Sequence, residues 1–193
     1  LLHMIEKTRP VWAEIDLDRL VHNIGEVRRI TKPGTIIMAV VKANAYGHGA
    51  IAAAQTFLKN GAKRLAVATL TEAIELRRAG INAPILILGY TPDYQSKEVV
   101  KQDINPTVYT YMHAEALSNA AADLGKVVKV HLKFDTGLGR IGFLPTENTL
   151  REIVKISQLP YLELEGIFTH FAVADRRDKT YTKEQFKKYH WAV

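Results

Sequence analysis

The sequence predicts an α/β protein of the (β/α)8 TIM-barrel type, with about six βα units in its 193 residues. Three observations predict this class. From Thr35 onward, short apolar runs alternate with helical stretches across brief Gly- and Pro-marked turns, six times over. The run Ala39 to Val41, with Met38 just before it, is small and β-branched, as in a strand buried on both faces of a parallel sheet. That run ends abruptly in Lys42, followed by Asn44, Tyr46, Gly47, His48 and Gly49, at the strand's carboxyl end where sites of such folds form.

The elements follow in order. Val11, Ala13, Ile15 and Leu17 alternate with Trp12, Glu14 and Asp16, which predicts a short strand over Val11 to Leu17. Asp18 is placed to cap a helix whose apolar face is Leu20, Val21, Ile24, Val27 and Ile30, and Lys32-Pro33-Gly34 ends it. Thr35 to Val41 is the strand that delivers Lys42. An Ala-rich helix is expected from about His48 to Asn60, closed by Gly61. Leu65 to Ala68 is the next strand, and Thr69 with Glu72 forms a capping box for a helix through Ala79. Pro84 introduces the strand Ile85 to Leu88, with a loop from Gly89 to Pro92. A helix around Gln95 to Lys101, a short strand around Thr107 to Tyr109 and a helix from Met112 to Leu124 come next.

The strand Val127 to Phe134 places Lys129, His131 and Lys133 on one face and Val128, Val130, Leu132 and Phe134 on the other. Polar side chains facing inward from a central strand point to a polar cavity. Asp135 to Gly142 is a loop, and Pro145 and Thr146 open a helix to about Ser157. Tyr161 to Thr169 is a strand ending in His170. A last helix, from about Thr182, carries Phe186, Tyr189 and Val193 at three- and four-residue spacing. Six units fall short of a closed eight-unit barrel, and an open edge exposes unpaired backbone. The expectation is either a sheet of a different type or part of a longer polypeptide. The division expected is a leader or tag remnant over 1–8, an N-terminal strand and helix over 9–34, and a partial barrel over 35–193.

Formal charge is +6, spread over separate clusters rather than one face. No aromatic-basic interleaving marks a nucleic-acid reader, so no nucleic-acid partner is expected. There is no Cys, which excludes disulfides and thiolate metal sites, and no His, Asp or Glu cluster has metal-ligand spacing; His170 and Asp175 are a weak pair. No apolar run is long enough to span a membrane and no secretory leader is visible; a cytoplasmic protein is expected.

Lys42 is the leading candidate for chemistry. A single amine delivered by a strand end suits a Schiff base with an aldehyde cofactor, and flanking glycines let backbone approach a ligand; the alternative is a lysine leaving a strand for solvent. Tyr46 is placed either to hydrogen-bond a phosphate or to wedge over the barrel mouth. His48 reads as a helix-start residue. Lys133, Asp135 and Arg140 surround two glycines at a strand end; Arg140 suits a substrate carboxylate bidentately, or pairs with Asp135 to brace the loop. An inward Lys133 needs a charge partner. His170 either stacks on a cofactor ring or is a satisfied core histidine. The glycines of 137–142 lack the spacing and flanks of a dinucleotide loop.

Four stretches together resemble the bacterial alanine racemases: Arg9 to Ile24, Ala39 to Gly49, Lys133 to Gly142, and Thr169 to Asp175, of which AVVKANAYGHG is the most specific. The resemblance implies a fold-type III pyridoxal 5'-phosphate enzyme, with an eight-stranded α/β barrel followed by a C-terminal β domain, working as a head-to-tail homodimer on a small amino acid. It implies interconversion of L- and D-alanine for peptidoglycan by two-base proton transfer. It makes Lys42 the cofactor-bearing lysine and an acid/base group, Tyr46 a phosphate contact, and Lys133 a lysine open to carbamylation that pairs with Arg140. It makes Arg140 a holder of the substrate carboxylate and sets His170 near the pyridine ring. The strand Val11 to Leu17 would then belong with the β domain. The last two barrel strands, the β domain and the opposite-face tyrosine have no counterpart in these residues, so the 193-residue chain alone is expected to be inactive. Alternatives are a serine or broad-specificity racemase, and a non-catalytic single-barrel protein that binds the same cofactor.

Overall fold

The computed structural model describes residues 11–193; the leader or tag remnant expected over 1–8 lies outside them. The described residues contain six parallel strands and the helices between them. In chain order these are α1 (Leu17–Ile30), β1 (Ile37–Val40), α2 (Ala50–Lys59), β2 (Ala62–Val67), α3 (Leu70–Arg78), β3 (Ile85–Ile87), α4 (Ser96–Lys101), β4 (Thr107–Val108), α5 (Tyr111–Asp123), β5 (Val128–Phe134), α6 (Glu147–Ser157), β6 (Leu162–Thr169) and α7 (Thr180–Ala192). A short turn, Lys42–Tyr46, stands between β1 and α2.

The strands pair as β1-β2-β3 and β4-β5-β6, all parallel. Asn105 stitches the two sheets together: Ile87 N–H donates to its carbonyl and its own N–H donates to Ile85 O, both at 2.9 Å. The sheet curls. Arg64 on β2 meets Glu165 on β6, which strands in second and sixth place reach only across a concave face. This is the incomplete barrel that the βα rhythm predicts. The main core lies between the sheet and its helices, with Leu65, Val67, Ile85, Ile87, Leu117 and Leu132 fully buried.

Local signals explain most boundaries. Thr69 and Glu72 form the expected capping box of α3. Thr110 and Thr146 cap α5 and α6 by accepting the His113 and Thr149 N–H groups.

Three expectations are corrected. Residues 11–16 form no β-ladder; a strand needs a paired neighbour, and the ladder of β1 goes to β2 instead. Asp16, not Asp18, caps α1, taking the Asp18 N–H at 2.9 Å. On α7 the buried positions are Gln185 and Ala192, while Phe186 and Val193 are exposed. Of the three expected positions only Tyr189 faces inward, half-buried with its hydroxyl donating to Ile167 O at 2.9 Å, and Gln185 takes the place expected of Phe186 because it finds polar partners in the loops above β5 and β6.

Candidate active site

Lys42 follows the buried Val41 at the carboxyl end of β1. The chain then winds the wrong way. Ala43, Asn44, Ala45 and Tyr46 have φ of 51°, 53°, 52° and 55°, a left-handed turn built without glycine. An L-residue in that region costs roughly 1–2 kcal/mol, and such residues normally occur singly. The turn folds Tyr46 back beneath the lysine, with Lys42 Nζ 5.9 Å from the Tyr46 ring centre. Several contacts hold it. Ala45 N–H donates to Val41 O at 2.9 Å, the Asn44 side chain takes the Ala50 N–H at 2.8 Å, and His48 Nδ1 lies 2.8 Å from Ala45 O. His48 thus steadies the turn, and α2 begins two residues after it, at Ala50. The carboxylate of Glu72 takes the Ala43 N–H at 2.7 Å and the Ala68 N–H at 2.6 Å.

Lys133 is 3% exposed near the end of β5, with Nζ 5.5 Å from the Phe168 ring centre. Burial pushes its pKa down, and the Arg140 and Lys42 charges push the same way while Asp135 opposes. Among the described residues no carboxylate lies within ion-pairing distance of its amine. Of the three inward positions expected on β5, His131 and Lys133 are buried; Lys129 instead reaches Glu163 at 3.3 Å with its side chain half exposed.

Asp135 does not brace the loop through the Arg140 side chain. Its carboxylate takes the N–H groups of Gly137 at 3.0 Å, Gly139 at 3.1 Å and Arg140 at 2.7 Å. Burial raises its pKa, but these amides outweigh burial and leave it lowered. Arg140 is exposed, and its charge bears on Lys133 and His170. Glycine is obligatory at two places here. A Cβ on Gly142 (φ +140°) would sit 2.5 Å from Asp135 N, and one on Gly137 (φ +141°) 2.5 Å from the Tyr181 hydroxyl.

His170 follows β6, exposed at the rim. Desolvation lowers its pKa most, followed by the charges of Arg140, Lys133 and Lys42. Those effects bring the four predicted residues Lys42, Lys133, Arg140 and His170 into one electrostatic site. Tyr46 stands beside it, 60% exposed. The Gln185 side chain, wholly buried on α7, donates to Thr136 Oγ1 at 3.2 Å and His170 O at 3.1 Å and accepts from Ala172 N–H at 2.9 Å. It ties the loops after β5 and β6 to one helix.

Beneath the site lies a polar layer that sequence reasoning missed except for His131. Glu165 accepts from Arg64, from Asn105 Nδ2 at 3.1 Å and from His131 Nε2 at 3.1 Å. The Arg64 hydrogen bond, reinforced by His131 against the opposing effect of burial, holds its pKa at about 2. Gly166 leaves room for the His131 ring, which a Cβ there would meet at 2.6 Å. The acid-base alternation of Glu163, Glu165 and Lys129 is the signal for this layer; Arg64 and Asn105 give none locally.

Among the described residues no helix is long and apolar enough to cross a membrane, and no group of three His, Cys, Asp or Glu could hold a metal. The family model "Alanine racemase, N-terminal domain" matches residues 15–193. The alanine racemase of Clostridium tetani is 55% identical over 97% of this chain and 48% of its own length, and that of Methanococcus maripaludis 52% identical over 94% and 49%. Among solved structures, alanine racemase of Clostridium difficile 630 in complex with cycloserine superposes with a TM-score of 0.94 at 44% identity, covering 96% of this chain and 51% of that one. A histidine racemase from Leuconostoc mesenteroides superposes at 0.85 with 33% identity, over 91% and 47%. The chain spans about half the length of the relatives it matches. With the family model covering nearly all of the described residues, and Lys42, Lys133, Arg140 and His170 gathered at one strand-end mouth, the chain belongs to the alanine racemase N-terminal domain family.

Proposed function

We propose that this chain is the barrel portion of a pyridoxal-phosphate-dependent alanine racemase, acting within a longer, dimeric protein that interconverts L- and D-alanine for peptidoglycan. The carrying observation is the amine of Lys42 at the end of β1, in a site where Lys133, Arg140 and His170 all bear on one another. The donor set fits the cofactor: an amine for its aldehyde, a phenol beside that amine, and a surplus of cations for a phosphate and a carboxylate. The nearby carboxylates, Asp135 and Glu72, are both occupied by backbone amides. When bound, the cofactor supplies the electron sink that makes the substrate Cα–H acidic.

The chain's own residues do the rest. Lys42 Nζ would take and return a proton on one face of the substrate. The proton on the other face is assigned to a phenol of the partner subunit. Tyr46 would hold the phosphate and His170 would pack beside the ring, where its lowered pKa keeps it neutral. Arg140 would bind the substrate carboxylate. Lys133 is buried without a carboxylate partner among the described residues, which suits a carbamate formed on its amine and paired to Arg140.

Borohydride reduction of the whole protein with pyridoxal phosphate, followed by peptide mapping, tests this reading. One adduct on Lys42, abolished by Lys42→Ala, is expected; an unlabelled Lys42 would sink it. A second reading rests on the histidine racemase superposition: the barrel half accommodates more than one substrate class. Racemisation of alanine, serine and histidine side by side decides between them, with alanine expected to be fastest.

A further inference from the structure

We propose that Glu72 is a positioning residue for Lys42: its carboxylate holds the left-handed turn that aims the lysine, apart from its part in capping α3. The functional side of this rests on the reading of Lys42 as the cofactor lysine; the geometry does not.

A capping box needs Glu72 to reach back only to the Thr69 N–H, which it does with Oε2 at 3.3 Å. Two shorter bonds are surplus to that task. Oε2 takes the Ala68 N–H at 2.6 Å, and Oε1 takes the Ala43 N–H at 2.7 Å. One carboxylate therefore clamps the carboxyl ends of β1 and β2 together. Ala43 is the residue directly after Lys42 and the first of the four with positive φ. Its N–H belongs to the peptide that joins it to Lys42. No backbone carbonyl accepts that N–H among the described residues; Glu72 does. Later bonds of the turn, such as Gly47 N–H to Ala43 O at 3.2 Å, close it from the far side only. A strained segment persists when its surroundings over-determine it. Glu72 supplies that determination at the lysine end.

The test compares Glu72→Gln with Thr69→Ala in the whole enzyme. Glutamine keeps the shape but turns one acceptor into an N–H donor facing other donors. Thr69→Ala breaks the same capping box and leaves the Ala43 contact intact. Amide hydrogen exchange at Ala43, read in the cofactor-free protein, is expected to speed up about tenfold or more in Glu72→Gln and to stay unchanged in Thr69→Ala. In the holoenzyme, Glu72→Gln should shift the absorption band of the Lys42-linked cofactor and release it faster, while Thr69→Ala leaves both as in wild type. Equal effects in the two variants, or none in Glu72→Gln, would overturn the proposal. If Glu72→Gln does not fold, the wild-type Ala43 amide decides alone. Protection of about a hundredfold over the free-peptide rate supports the clamp and an unprotected amide refutes it. A wild-type Lys42 that borohydride fails to label would instead remove the cofactor reading while leaving the exchange result standing.

Discussion

His170 reports the charge of the whole site. Desolvation and three cations, Arg140 foremost, disfavour its protonated form. Replacing Arg140 by Gln removes one of those cations, so the imidazole pKa should move up, measured by NMR titration of the ring resonances in the cofactor-free protein. The sign carries to stability: a histidine whose folded pKa is lowered binds its proton more readily when unfolded. Its contribution is present above the unfolded pKa and is lost as pH falls towards the folded one. Residue types at strand ends made this cluster legible in advance. Lys42, Lys133, Arg140 and His170 all lie within two residues of a strand end or in a glycine-rich loop, where a barrel collects its chemistry. The role of Asp135 was not legible, because a carboxylate near an arginine reads as half of an ion pair, when the donors it accepts from are in fact backbone amides.

Among elements, α7 and the turn after β1 show where local pattern gives way to tertiary structure. The sequence Ala43-Asn44-Ala45-Tyr46 has no glycine and favours an ordinary helix, so its left-handed path is imposed by Glu72, Asn44 and Val41. On α7, apolar spacing pointed to Phe186, yet Gln185 is the residue inside. No periodicity argument selects a glutamine for burial, since its value lies in three partners from two separate loops. Gln185→Ala leaves the Ala172 N–H and the Thr136 hydroxyl short of a partner, and should cost about 2–3 kcal/mol in urea denaturation. Gly166→Ala should cost about 1–3 kcal/mol on the same scale, because the His131 ring must shift to admit a methyl group. The capping box at Thr69, by contrast, was readable as printed, being a purely local device.

At the scale of the whole molecule, the curl of six strands is held from within by Glu165. Its carboxyl falls from the ordinary 4.5 to about 2 on folding, which corresponds to on the order of 3 kcal/mol. That stability is present above pH 4.5 and is lost as pH falls towards 2. Glu165→Gln should flatten the acid limb of the stability curve, measured by urea midpoints at successive pH values, and lower stability near neutrality by about 3 kcal/mol. The barrel class was legible because βα alternation is a property of the chain in sequence. The polar layer was not, because Arg64 and Glu165 are 101 positions apart and meet only when the sheet curls. That separation also sets an order of events during synthesis. Arg64 leaves the ribosome long before its counter-charge is translated. Until β6 emerges, the nascent chain lacks the carboxylate that draws β2 across the hollow of the sheet, so the sixth strand is the one that gives the five before it their curvature.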